Sequence, residues 1–254
     1  MTDSALAHSL TWTQPAKLSQ LRYSIDGWDK ETGYPRVLDR DVLLIPNAIP
    51  EVFDQLVHEA DRHDSWIRPK VVRGKEISED YSFRNCESVA VRGEGFRGFE
   101  SVLRGLSGLW ASAYKSFVNS HMDVFGIEAE IQLLRYRPGM FFKEHVDSIS
   151  DNSQFAGRRL TLCAFRGSED LEGGLLVLRR QRIAVGADGS VWEWLGSETP
   201  RIEECDSIGE SNLWEQTSDP SRGTIAVFPA GPTFHHWKQE VNRGVAETIV
   251  HWYH

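Results

Sequence analysis

Near the middle of the 254-residue chain, the stretch "RYRPGMFFKEHVDSIS" places His145 and Asp147 one residue apart. The surrounding residues read as a strand, and on a strand positions i and i+2 project to the same side. An imidazole and a carboxylate that project together are half of a site for a divalent metal ion. Two protein ligands are too few, so a third must come from a distant part of the chain. The stretch "GTIAVFPAGPTFHHWKQEVNRG" offers His235 and His236 about ninety residues downstream. One more histidine completes the two-histidine, one-carboxylate set that leaves open positions on Fe(II) for oxygen chemistry. An HxD pair alone is a weak signal, since such pairs also decorate surfaces, and it is the order of the surrounding elements that strengthens it.

Those elements must bring residues far apart in sequence to one place. After Glu128, short strands follow one another: "EIQLLRYRP", "MFFKEHVDS", "RRLTLCAFR", "GGLLVLRR", "RIAVGADGSVWEWLG", "GTIAVFPAG", "FHHWKQEV" and "AETIVHWYH". Glycine, proline, aspartate and serine clusters separate them, and "GADGS" is a hairpin signal. Upstream, "DVLLIPNAIPEVFDQLVHEADRH" predicts a short strand, a turn that Asn47 caps, and a helix with Pro50 in its first turn. Phe53, Leu56, Val57 and Ala60 recur there at helical spacing. "YSFRNCESVAVRG" predicts a strand. "FRGFESVLRGLSGLWASAYKSFVNSHM" predicts one or two amphipathic helices that bury Leu103, Leu106, Leu109, Trp110 and Tyr114. Helices followed by a run of strands point to a mainly β, α+β domain, a helix-supported sandwich or barrel. The expected organisation is an N-terminal extension over residues 1–40 and a single domain over 41–254. Within that domain, residues 179–222 form a long insertion carrying Trp192, Trp194 and Trp214, expected to be a lid or a partner surface.

Composition narrows the function classes. The net charge is −9 and no Lys/Arg stripe stands out, which argues against a nucleic-acid partner. Three cysteines, with no CxxC pair, indicate neither a zinc knuckle nor a disulfide framework, and the reducing cytosol is the natural compartment. No signal-peptide pattern opens the chain, and no apolar run approaches the ~20 residues of a membrane span. A chain of this length buries roughly 70–75% of its unfolded surface, so a metal here is expected to serve chemistry rather than stability. P-loop and GxSxG patterns are missing.

From about Pro50 to Trp252 the chain resembles the prolyl 4-hydroxylase-like branch of the 2-oxoglutarate and Fe(II)-dependent dioxygenases. "IPNAIPEVFDQLVHEA" is similar to the family's leading helix and "RNCES" to its first sheet strand. "IQLLRYRPGMFFKEHVDS" resembles the strand, turn and HxD, "RRLTLCAF" and "LEGGLLVL" the next two strands, and "GTIAVFP" and "HWKQEVNRGVAETIVHW" the closing strands. The pieces run in the family's order. The resemblance implies a double-stranded β-helix (a cupin-like jelly roll) with iron at its open end, ligated by His145, Asp147 and a distal histidine. His236 suits that last role better than His235, because Gly244 then falls eight residues later and Trp252 sixteen later. The implied cofactors are Fe(II) and 2-oxoglutarate, with O2 as cosubstrate. The implied reaction hydroxylates or otherwise oxidises a C–H bond of a small molecule, an amino acid or a peptidyl residue.

One departure stands out. The family places an arginine or lysine at the head of its last strand to hold the distal carboxylate of 2-oxoglutarate, and counting ten residues from His236 lands on Ala246. Three readings follow. Another cation reaches in, with Arg159 (on one face with Thr161) and Arg243 as candidates; or the oxygenase does not use 2-oxoglutarate; or the chain is a non-catalytic, metal-binding interaction module. Tyr136 matches a family tyrosine that hydrogen-bonds the cosubstrate, or else is a core aromatic.

Overall fold

Alternation along the strands sorts their side chains onto two faces, and each face builds its own core. The computed structural model describes residues 36–38, 42–46, 51–63, 65–73, 76–118, 130–148, 157–180, 184–185, 191–192, 206–208, 223–231 and 234–254. In chain order the first half holds β1 (Arg36–Leu38), β2 (Val42–Pro46), helix α1 (Val52–Arg62), β3 (Val71–Arg73), β4 (Glu76–Ser78), β5 (Arg84–Asn85), β6 (Glu87–Ala90) and helix α2 (Arg97–Phe117). Then come β7 (Gln132–Tyr136), β8 (Phe141–His145), β9 (Leu160–Gly167), β10 (Glu172–Gly173), β11 (Leu176–Arg180), β12 (Ala184–Val185) and β13 (Val191–Trp192). β14 (Asp206–Ile208), β15 (Thr224–Pro229), β16 (Phe234–Lys238), β17 (Val241–Arg243) and β18 (Ala246–Tyr253) close the fold.

Seven strands form the larger sheet in the order β1-β2-β15-β9-β18-β7-β6, and five form the smaller in the order β14-β11-β16-β8-β5. Neighbours in both sheets pair antiparallel. One face of the larger sheet packs Leu133, Leu162, Ala164, Val227 and Ile249 against the two helices. Its other face packs Leu134, Phe165, Phe228 and Trp252 against Leu176, Leu178 and Phe234 of the smaller sheet. The result is the double-stranded β-helix, or jelly roll, expected from the sequence, with helices covering the outer face of one sheet.

Helix α1 buries Phe53, Leu56, Val57 and Ala60, the stripe read from its spacing. Helix α2 is one helix of 21 residues. Its buried face runs through Phe99, Leu103, Trp110 and Tyr114, and it also takes in Val102, Ser107, Ala111 and Ala113. Leu106 and Leu109, expected on that face, are only partly buried. The contact line is centred nearer Ser107, whose hydroxyl lies 2.8 Å from Nδ1 of the buried His251 on β18. This polar contact is invisible to an apolar-stripe reading.

An ion network staples α1 to the larger sheet. Arg135, only 4% exposed, donates to Asp61 at 2.6 and 3.0 Å and to Glu247 at 3.2 Å. Its guanidinium lies 3.9 Å from the ring centroid of Trp66. Arg166 donates to Glu247 at 3.0 Å and also pairs with Asp54.

The double glycine has a local reason. Gly173 and Gly174 adopt φ of +72° and +64°, which L side chains rarely do. A Cβ on Gly173 would also press on the backbone carbonyl of Glu240.

In the insertion, β12 and β13 pair antiparallel on either side of "GADGS", as the hairpin signal predicts. β14 pairs with β11 and extends the smaller sheet by one strand. Trp194, Trp214, Asn47, Pro50, Cys205 and nearly all of the 1–40 extension lie outside the described residues. Cys86 and Cys163 are buried thiols. Among the described residues no helix is long and apolar enough to cross a membrane.

Candidate metal centre

The two histidines meet because β8 and β16 are neighbours and His145 stands directly opposite His236 in the ladder. The next pair is Phe142 with Lys238, so three steps along β8 match two along β16. This is a bulge with one extra residue on β8, a device that re-aims side chains next to functional sites. His145 is the last residue of β8, and Asp147 lies just past the strand end. The i/i+2 rule therefore gives the right neighbourhood for Asp147, but its position is fixed by other contacts. The Ser148 N–H donates to the Ala230 carbonyl at 2.9 Å, and the Thr161 hydroxyl donates to Asp147 Oδ2 at 2.6 Å. Arg158 reaches the Asp147 carbonyl at 3.4 Å.

His145 Nε2 is 3.8 Å from Asp147 Oδ1, and His236 Nε2 is 3.4 Å from Asp147 Oδ2. One ligand atom from each of the three residues lies within 4.8 Å of the other two. His145 Nδ1 sits 2.8 Å from the Lys143 carbonyl. A carbonyl only accepts, so Nδ1 carries the proton and Nε2 presents its lone pair to the group. Phe142 stacks on the His145 ring at 3.7 Å between centroids, and Phe228 meets His236 edge-on at 5.1 Å.

Electrostatics set the charge states a divalent cation requires. Burial, reinforced by the second imidazole, holds His145 well below the usual imidazole range. Burial pushes the Asp147 carboxyl up, but His236, His145 and the Thr161 hydroxyl outweigh it and keep the group below the usual carboxylate range. Neutral imidazole beside an ionised carboxylate is a donor set suited to Fe(II).

Burial alternates along β16, with His236 inward and His235 facing Glu144, whose Oε1 is 3.2 Å from its Nδ1. The structure thus brings His236, not His235, to the group. The three residues line a cavity of about 500 Å³. Tyr136, Cys163, Phe165, Lys238, Thr248 and Trp252 line it too.

The residues expected to bind the cosubstrate divide. Tyr136 is buried on the cavity wall. Thr161 is fully buried, and its hydroxyl is committed to Asp147. Arg159 is not brought to the cavity. It precedes β9, is exposed, and is anchored by its backbone N–H on Tyr253. Arg243 is not brought there either, because its side chain is 59% exposed on β17 and pairs with Glu172 at 2.7 Å. Four cations line the cavity, Lys70, Arg84, Arg158 and Lys238, none of them expected there from the sequence, and Lys238 is the most deeply buried of them. Burial pulls its ammonium down to about 7. The signal for it was present, since Lys238 follows His236 at i+2 and shares its face.

Residues 131–254 match the family model for the 2OG-Fe(II) oxygenase superfamily. No protein of curated function matches the sequence. Among solved structures, the chain is similar to a prolyl-4-hydroxylase from Pseudomonas putida at 14% identity, covering 84% of this chain and 91% of that one with a TM-score of 0.51. It is similar to a prolyl hydroxylase from Trichoplax adhaerens, solved with a hypoxia inducible factor oxygen degradation domain peptide fragment, at 15% identity over 96% and 92% of the two chains, TM-score 0.53. A Burkholderia pseudomallei oxidoreductase of the 2OG-Fe(II) oxygenase family shares 10% identity over 93% and 90%, TM-score 0.51. At these identities the likeness is one of fold.

Proposed function

We infer that this chain, a member of the 2OG-Fe(II) oxygenase superfamily through residues 131–254, binds Fe(II) at His145, Asp147 and His236 and oxidises a C–H bond of a small molecule, amino acid or peptidyl residue in the adjoining cavity. The observation that carries the reading is the convergence of two imidazoles and a carboxylate from distant segments at the wall of one cavity. When bound, iron with 2-oxoglutarate and O2 supplies the oxidising power, and the protein supplies binding, orientation and exclusion of water. Here His145 Nδ1 donates to Lys143, which keeps Nε2 free for the metal. Thr161 fixes the rotamer of Asp147. Phe142 and Phe228 wall the imidazoles with apolar surface.

The domain reading goes with this proposal: residues 41–254 act as one catalytic unit, 1–40 as an extension, and 179–222 as an inserted lid or loop. The unpaired buried thiols and the absence of a basic stripe support a reducing compartment and a substrate other than nucleic acid.

The test is oxygen uptake by the full chain with Fe(II), with and without 2-oxoglutarate, in the presence of candidate peptides and small molecules. Uptake that requires both iron and 2-oxoglutarate, with succinate formed, is expected. Uptake that requires iron and ignores 2-oxoglutarate would remove 2-oxoglutarate from the account.

A further inference from the structure

Lys238 is 5% exposed, and its Nζ has no hydrogen-bond partner among the described residues. The ammonium lies 5.2 Å from the ring centroid of Phe165 and 5.6 Å from that of Tyr136. Aromatic faces attract a cation, but they replace only part of the hydration it loses. Buried charges in folded proteins are otherwise paired. No acid of the cavity serves. Asp147 is turned to the two histidines and Thr161. Glu130 accepts from Gln132 at 2.6 Å, and Glu144 faces His235. The side chain is therefore a cation held ready for an anion that none of the described residues provides.

Its placement says which anion. Lys238 shares the inward face of β16 with His236, two residues away, roughly 6–7 Å along the strand. A ligand gripping the metal with one end and Lys238 with the other must be a short dianion. The larger sheet faces this spot with Ala246, Thr248, Val250 and Trp252 along β18, of which Ala246 is fully buried and pairs with Tyr136. Ala246 brings no charge, yet the ammonium from the opposite sheet reaches the same tyrosine. Thr248, paired with Phe165, adds to the cavity wall a buried hydroxyl that has no hydrogen-bond partner among the described residues. Of the other cavity cations, Lys70 is exposed, Arg84 donates from one terminal nitrogen to Gln132 while its Nε has no hydrogen-bond partner among the described residues, and Arg158 reaches the Asp147 carbonyl.

We propose that Lys238 receives the distal carboxylate of 2-oxoglutarate, replacing from β16 the cation that Ala246 does not supply from β18. The proposal rests on the reading of the metal centre above. It removes the reason to doubt 2-oxoglutarate on the ground of Ala246 alone.

The test titrates keto acids into the anaerobic, Fe(II)-loaded full chain and follows the visible metal-to-ligand charge-transfer absorbance. Lys238→Met should raise the dissociation constant of 2-oxoglutarate by about tenfold or more. For 2-oxobutanoate, which has the same keto-acid head and no distal carboxylate, wild type and variant should bind alike. The metal-free variant should melt no lower than wild type, which shows that the fold is kept. Equal 2-oxoglutarate affinity in the two proteins overturns the assignment and leaves the metal centre standing. Equal weakening of both acids also overturns it, because the damage then lies at the metal end. A wild-type chain that binds iron yet gives no absorbance with 2-oxoglutarate overturns the assignment and the 2-oxoglutarate reading together.

Discussion

Thr161 is the most economical place to test how the protein holds its metal-binding carboxylate. It sits on β9 with no exposed surface, and its hydroxyl donates to Asp147 Oδ2 at 2.6 Å. Thr161→Val removes that donor and keeps the shape. A hydrogen bond to a charged group contributes about 1.5–3 kcal/mol, and a variant that leaves a buried carboxylate oxygen unpaired loses an amount of that order. For a chain of this size, about 2–4 °C of melting temperature goes with each kcal/mol, so the metal-free variant should melt roughly 3–12 °C lower. The bond exists with or without metal, so only part of its energy appears in metal affinity. That part is the cost of fixing a carboxylate now free to rotate, and groups in this position typically account for about 10- to 100-fold in binding. Anaerobic Fe(II) titration should show a loss of about tenfold in Thr161→Val and little change in Thr161→Ser, which keeps a hydroxyl. Wild-type melting and wild-type iron affinity in Thr161→Val would refute the reasoning, since Asp147 would then need no help from β9.

The remaining predictions concern the distal ligand and the ion network. His236→Ala should abolish iron binding, and His235→Ala, whose ring faces Glu144, should keep it; iron content after gel filtration decides. Arg135→Met leaves the buried Glu247 with Arg166 alone, so the charge stays paired and the loss is that of a charged hydrogen bond, about 1.5–3 kcal/mol, read as a melting point lower by roughly 3–12 °C. The hydrogen bond from Arg135, outweighing burial, holds the Asp61 carboxyl below its usual range. Its contribution is therefore fully present above the unfolded value, near 3.9, and is lost as pH falls through the folded value. Asp61→Asn should flatten the acid limb of a stability-versus-pH curve, by no more than about 1 kcal/mol because the side chain is 49% exposed.

What the sequence discloses is what local periodicity and short spacing control. The stripe of α1 was legible because four apolar residues sit on one face and nothing polar competes. The HxD pair and the distal histidine were legible because the strands around them run in the order and spacing of the family the sequence resembles. The buried stripe of α2 holds at Leu103, Trp110 and Tyr114, with Leu106 packed against the core though partly exposed; what local spacing could not show is the buried Ser107–His251 contact, which joins residues 144 positions apart. The bulge between His145 and Phe142 was equally hidden, since it exists only as a mismatch between two strands far apart in sequence. Lys238 is a different case. The alternation that places His145 and Asp147 together, applied to "FHHWK", puts His236 and Lys238 on one face, but a lysine after a tryptophan reads by default as solvent-facing. Only the absence of a hydrogen-bond partner for its ammonium among the described residues makes it conspicuous.

The central claim is that one ferrous ion sits among three side chains contributed by separate parts of a rolled sheet. Crystals grown or soaked anaerobically with Fe(II), with diffraction recorded above and below the iron absorption edge, address it directly. The account predicts a single strong anomalous peak within bonding distance of His145 Nε2, His236 Nε2 and an Asp147 carboxylate oxygen. A peak elsewhere, or one touching His235 in place of His236, would contradict it.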